Sequence, residues 1–74
     1  WRPIMAALEA IATGNVWKIL KQPGDAVAAE EVVIILESMK MEIPIEAPRA
    51  GTLRDLKVAE GDQVTEGQIL GSIS

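Results

Sequence analysis

The chain contains no cysteine, no histidine, no tyrosine and no phenylalanine, and its only aromatics are Trp1 and Trp17. Without cysteine there is no disulfide, no thiolate metal site and no thiol nucleophile. Without histidine as well, neither a His/Cys zinc site nor a Ser-His or Cys-His catalytic pair can be assembled from this chain. Positive charge is also scarce, with seven Lys and Arg against eleven Asp and Glu and a net charge of −4. That balance argues against nucleic acid, whose phosphates call for clustered cations, and against an anionic membrane surface. Long apolar runs are missing too. The longest, Val32 to Leu36, falls far short of the roughly 20 residues that span a bilayer. No signal peptide is visible, so a cytoplasmic protein is the default expectation. At 74 residues the chain makes one small domain, too small for a deep catalytic cleft.

What is present favours β-structure. Fifteen Val and Ile stand against six Leu, and β-branched side chains fit a pleated sheet. Gly14, Pro23-Gly24-Asp25, Pro48, Gly51, Gly61-Asp62, Gly67 and Gly71 punctuate short apolar segments. The spacing predicts strands over about 8–12, 15–20, 26–28, 32–37, 41–46, 52–57, 63–65 and 68–73. Met41, Ile43 and Ile45 alternate with Glu42, Pro44 and Glu46, the period of a half-buried strand. Met5 to Ala12 and Ala26 to Glu42 could each be drawn as a helix. The contiguous Val32-Val33-Ile34-Ile35 run argues for strand in the second.

A repeat is visible at an offset of 37 residues. Gly14 falls on Gly51, Gly24 on Gly61, Asp25 on Asp62 and Val27 on Val64; Val16, Ile19, Val32 and Val33 fall on Leu53, Leu56, Ile69 and Leu70. Two equal halves of about four strands each imply a pseudo-twofold structure closing into a small flattened barrel, which also hides sheet edges. Residues 37–47 have no partner in this reading, because the second copy ends at the C-terminus.

That unmatched stretch holds the one turn without Gly or Pro, Ser38-Met39-Lys40-Met41. Tight hairpins normally use Asn-Gly, Asp-Gly or Gly-X because they need positive φ. A turn that breaks the local rule is a candidate functional site. Two large apolar side chains at a hairpin tip cannot both be deeply buried, and grouped exposed apolar groups mark a contact surface. A lysine between them would present its amine to another protein's active site, as a substrate for modification.

From about residue 10 onward the chain resembles the biotinyl, or biotin carboxyl carrier, domain family. Glu37-Ser38-Met39-Lys40-Met41-Glu42 resembles that family's Ala/Ser-Met-Lys-Met attachment motif. In order around it stand Gly14-Asn15-Val16-Trp17-Lys18, Pro23-Gly24-Asp25-Ala26-Val27, Ile45-Glu46-Ala47-Pro48, Gly51, Gly61-Asp62-Gln63-Val64 and Gly67-Gln68-Ile69-Leu70. The resemblance implies an all-β fold: a flattened eight-stranded barrel, or barrel-sandwich hybrid, of two halves with Lys40 on an exposed hairpin. It also implies that biotin protein ligase joins biotin to Lys40 Nζ as an amide. Biotin carboxylase would load a carboxyl group and a carboxyltransferase would pass it to an acceptor such as an acyl-CoA. The chain would then be a tether rather than an enzyme, monomeric as an isolated domain.

In this reading Met39 and Met41 are recognised by the ligase. Glu37 and Glu42 either assist that recognition or are solvated strand charges. Trp17 is expected to be a packed structural residue, and the two Gly-Asp pairs to be turn chemistry. Glu30 stands where the family often has Gly, so the first-half turn is expected to differ from its counterpart at Gly67. Pro44 is expected at an edge or bulge. The absence of an insertion between the early strands resembles the thumbless members of the family. Residues 1–7 are read as an N-terminal tail and 8–74 as the attachment domain. Trp1 to Ile4 is read as an addition before a natural start at Met5, with a small standalone protein favoured over a piece of a large carboxylase. The rivals are a lipoyl carrier, which shares the fold and lysine but usually has Asp-Lys-Ala at the tip, and an unmodified adaptor domain.

Overall fold

A computed structural model describes residues 5–74; Trp1 to Ile4, and the reading of that segment, lie outside the described residues. Eight strands follow in chain order: β1 (Ala6–Glu9), β2 (Gly14–Ile19), β3 (Ala26–Val27), β4 (Val32–Ser38), β5 (Met41–Glu46), β6 (Gly51–Leu56), β7 (Gln63–Val64) and β8 (Ile69–Ile73). They form two antiparallel four-stranded sheets, ordered β5-β4-β2-β7 and β1-β8-β6-β3. The fold is all-β, with both sheets closing over one core as in a barrel-sandwich. Both segments that could have been drawn as helices are strands: β4 carries the β-branched run, whereas β1 has no β-branched residue and is held as a strand by its pairing with β8. β1 lies at 6–9 rather than 8–12. Its ladder ends at buried Ala10, whose N–H donates to Gln68 O at 2.9 Å, and the chain then bends away.

The 37-residue repeat is a structural symmetry, and it reaches further than the glycines suggest. Leu36 pairs with Ile43 across β4 and β5, and Ile73 pairs with Ala6 across β8 and β1. The next partners follow alike: Ile35 with Pro44 and Ser72 with Ala7, then Ile34 with Ile45 and Gly71 with Leu8. So β5 has a counterpart after all, the strand β1 at the other end of the sequence. The expectation that residues 37–47 lack one holds only for the turn. The second half is completed by a strand that precedes the first. The signal was in the chain as Leu8-Glu9-Ala10 against Ile45-Glu46-Ala47.

The core repeats in the same way. Leu8 and Ile45, Ala10 and Ala47, Val16 and Leu53, Val27 and Val64, Val33 and Leu70, and Leu36 and Ile73 are equivalent pairs, every member buried. The thirteenth core residue, Ile34, is the exception, because its equivalent is Gly71. Full burial of each large aliphatic side chain contributes about 1.5–3 kcal/mol, so these matched pairs account for most of the folding drive.

The turns repeat too. Asp25 and Asp62 carboxylates accept from Gln22 N–H at 2.8 Å and Ala59 N–H at 2.9 Å, the local side-chain-to-backbone bonding expected of the Gly-Asp pairs. Glu31 accepts from Ala28 N–H at 2.8 Å where Gln68 accepts from Thr65 N–H at 3.0 Å. The Ala28 amide, followed by Lys21 Nζ at 2.9 Å, holds the Glu31 carboxyl below the usual carboxylate range. Pro44 sits in β5, the edge strand of its sheet, where a missing N–H breaks no ladder bond on the open side.

The first-half turn does not differ from its counterpart, and Ala28-Ala29-Glu30-Glu31 is a second turn without Gly or Pro, so the hairpin tip is not alone in that respect. Glu30 has φ 68 where Gly67 has φ 87. Glu30 N–H donates to Ala47 O at 2.9 Å as Gly67 N–H donates to Ala10 O at 2.8 Å. The tertiary hydrogen bond fixes the turn, and the glutamate accepts left-handed backbone at a cost of about 1–2 kcal/mol. Glycine relieves that cost but loses about 0.5–1 kcal/mol to the unfolded chain. Glu30→Gly should therefore raise stability by about 0.5 kcal/mol, read as a higher midpoint in denaturant unfolding at an unchanged slope.

Candidate functional site

The β4–β5 hairpin pairs Val32 through Ser38 with Met41 through Glu46, and Ser38 faces Met41 as its last pair. The connection is therefore two residues, Met39 and Lys40, with φ of 52 and 65. Positive φ at both central positions is the condition a type I′ turn imposes, and its twist matches that of the flanking strands. Left-handed backbone costs each of these side-chain-bearing residues about 1–2 kcal/mol. The ladder below holds the turn against that cost. Backbone outliers retained in this way concentrate at functional positions.

Met39 is 93% exposed and Met41 64%, the two most exposed large apolar side chains among the described residues. Neither contributes to the core. Met41 shares the inward-facing parity of Ile43 and Ile45 but lies past the end of the packed region, so it meets solvent instead of Leu36 or Ile34. Lys40 is exposed between them. Of the four lysines, the other three are engaged. Lys21 Nζ lies 2.9 Å from Glu31 and Lys57 Nζ 3.5 Å from Asp55, while Lys18 Nζ lies 5.6 Å from the Trp17 ring centroid. Lys40 forms no ion pair among the described residues.

Glu37 and Glu42 face each other directly across the strands, one pair below Ser38 and Met41, and both are exposed. Like charges in that arrangement are mildly destabilising. The structure thus brings Glu37, Met39, Lys40, Met41 and Glu42 together at one tip. Trp17 is not the packed residue expected from the sequence. It is the extra residue of a bulge in β2, between Val16 and Lys18, and is 42% exposed. Arg54 holds the equivalent bulge in β6. A shallow groove lined by Ile19, Gln22, Pro23, Leu56, Val58, Ala59 and Glu60 lies between the two halves and includes none of the tip residues.

An all-β domain of two matched halves, with a lysine carried on a strained two-residue hairpin and no cleft around it, has the form of a carrier. Residues 5–73 match the biotin/lipoyl family model, described as "Biotin-requiring enzyme". The chain belongs to that family, and is an attachment domain rather than a catalyst. It is 49% identical over 61 residues to the biotin/lipoyl attachment protein of Bacillus subtilis strain 168, covering 82% of this chain and 84% of that protein. It is 38% identical over 66 residues to the dihydrolipoyllysine-residue succinyltransferase component of the 2-oxoglutarate dehydrogenase complex of the same organism, covering 89% of this chain but 16% of that protein. The fold superimposes on the urea carboxylase of Kluyveromyces lactis with a TM-score of 0.91 and 31% identity, covering all of this chain and 6% of that one. Among the described residues no helix is long and apolar enough to cross a membrane.

Proposed function

We propose that the domain is a biotin carboxyl carrier whose attachment site is Lys40. The observation that carries this reading is the tip itself: a lysine without an ionic partner among the described residues, held at positive φ between two exposed methionines. In this reading biotin protein ligase joins the biotin carboxyl to Lys40 Nζ as an amide, and the chain's net charge moves from −4 to −5 with the loss of the ammonium. Bound biotin supplies the ring nitrogen that carries a carboxyl group. The protein's own part is mechanical. The hairpin holds Nζ clear of the sheets, and the two-sheet core holds the hairpin, so the tethered group reaches biotin carboxylase and carboxyltransferase sites at a local concentration on the order of mM. The setting is cytoplasmic, where the ligase and both partner enzymes would meet it. The likeness to a urea carboxylase supports biotin, and the likeness to a biotin/lipoyl attachment protein fits either group.

The likeness to a dihydrolipoyllysine succinyltransferase component favours a second reading, in which Lys40 carries lipoate. Parallel incubation with biotin protein ligase and lipoate ligase separates the two by intact mass. Incorporation from neither would support an unmodified adaptor.

Met39 and Met41 are contacts for the ligase in this proposal, and Glu37 and Glu42 flank them as secondary ones. Met39→Ala and Met41→Ala should each slow loading about 10-fold, the loss of one apolar contact of about 1.4 kcal/mol. Stability should change by less than about 0.5 kcal/mol, because exposed side chains carry little of it. Initial loading rates and thermal melts check both halves of this expectation.

A further inference from the structure

We propose that Met39 and Met41 form a peroxide-sensitive gate on the lysine between them: oxidation of their thioethers to sulfoxides blocks loading of Lys40 and leaves the fold intact. The inference rests on reading Lys40 as the biotin site. The chain has no cysteine, so no thiol competes for a peroxide. Its methionines are Met5, Met39 and Met41, at 56%, 93% and 64% exposure, and none is in the core. Oxidation therefore reaches all three without opening a cavity or burying a polar group in the folded domain.

The chemistry balances with hydrogen peroxide as oxidant. The sulfur lone pair attacks one peroxide oxygen, the O–O bond breaks, and sulfur loses two electrons and gains that oxygen. The other oxygen leaves as hydroxide and takes the one proton of the transferred oxygen, giving water. The product is polar and chiral where the thioether was apolar and flexible, and methionine sulfoxide reductases reverse it. Position decides the consequence. Met39 and Met41 each adjoin Lys40, so a ligase surface that covers the lysine covers both sulfur atoms. A sulfoxide oxygen covered without a donor loses its water and lowers binding roughly 10- to 100-fold. Met5 lies before β1, outside the hairpin, and serves as an internal control.

The test treats the unloaded protein with hydrogen peroxide, locates each sulfoxide by peptide mass spectrometry, and measures the rate of loading by biotin protein ligase before treatment, after it, and after repair by methionine sulfoxide reductases. We expect at least a 10-fold slower rate when residues 39 and 41 are oxidised, an unchanged circular dichroism spectrum, and recovery on repair. Met5→Leu should load normally and stay peroxide-sensitive. The double variant Met39→Gln, Met41→Gln should load as slowly as oxidised protein and lose nothing further to peroxide. Loading of fully oxidised protein at the untreated rate would overturn the gate. So would no recovery on repair, or insensitivity of Met5→Leu. If untreated protein is not loaded at all, the biotin assignment fails first and the gate falls with it.

Discussion

Lys40→Arg should abolish biotin incorporation while the domain folds as before. Wild-type protein with biotin protein ligase, ATP and biotin should gain the mass of one biotinyl group, and the variant none. Arginine keeps the charge and nearly the length of lysine, so the electrostatics of the acidic tip around Glu37 and Glu42 change little. It does not keep the nucleophile. The guanidinium stays protonated at any working pH and has no free amine lone pair to acylate. Position 40 is exposed and outside the core, so stability should move by no more than about 0.5 kcal/mol. The other lysines sharpen the test, since Lys18, Lys21 and Lys57 remain available in the variant but are held by Trp17, Glu31 and Asp55. Incorporation that persists in Lys40→Arg would place the site on one of them and overturn the assignment. Lipoate ligase run in parallel tells which group the same lysine takes.

The sequence announced the fold through residues whose conformation is set locally. Glycine-aspartate turns, β-branched runs and the alternation through Met41, Ile43 and Ile45 depend only on near neighbours, and all eight strands lie close to where those signals put them. The tip was legible for the opposite reason: Met39 and Lys40 occupy a turn that local chemistry disfavours, and their positive φ is the physical form of that conflict. What the sequence hid is long-range. The match of β1 to β5 joins strands from opposite ends of the repeat, so a scan beginning at the first glycine starts after the evidence has passed. Glu30 misled because glycine preference is an intrinsic term of about 1 kcal/mol, and the Ala47 carbonyl outweighs it. Trp17 misled because its size suggested a core residue, whereas alternation from buried Val16 already turns it outward; the bulge resets the alternation only after it, turning Lys18 out and Ile19 in.

Gly71→Ala should be the most destabilising methyl group that can be added to this domain. A Cβ at Gly71 would overlap Asp55 O and stand 3.4 Å from Leu56 Cδ2. The first contact is with backbone, and that backbone is pinned. Leu56 pairs with Gly71, Asp55 pairs with Ser72, and Lys57 N–H donates to Leu70 O at 2.8 Å. The Ser72 hydroxyl also donates to Asp55 Oδ1 at 2.7 Å, the main reason the Asp55 carboxyl lies below its usual range. No side chain can swing aside, so β6 and β8 must part. Overpacking of this kind costs about 3 kcal/mol, out of about 4–11 kcal/mol for a chain of this length. The midpoint of thermal unfolding should fall by roughly 12–24 °C. A loss below about 1 kcal/mol would mean that the β6–β8 ladder yields more easily than its hydrogen bonds imply. Ile34, the equivalent position, carries a full side chain, so the requirement comes from the local approach of strands and not from the shared topology. The two variants should also separate in their consequences. From a starting stability of about 5 kcal/mol, Gly71→Ala retains about 2 kcal/mol and stays about 97% folded at 25 °C, so its Lys40 should still be loaded at nearly the wild-type rate. Loading should then collapse on warming, at the temperature where the barrel opens. Lys40→Arg should show the reverse, an intact barrel at every temperature below the wild-type midpoint and no loading at any of them. Attachment chemistry and fold stability would thus be shown to be separable.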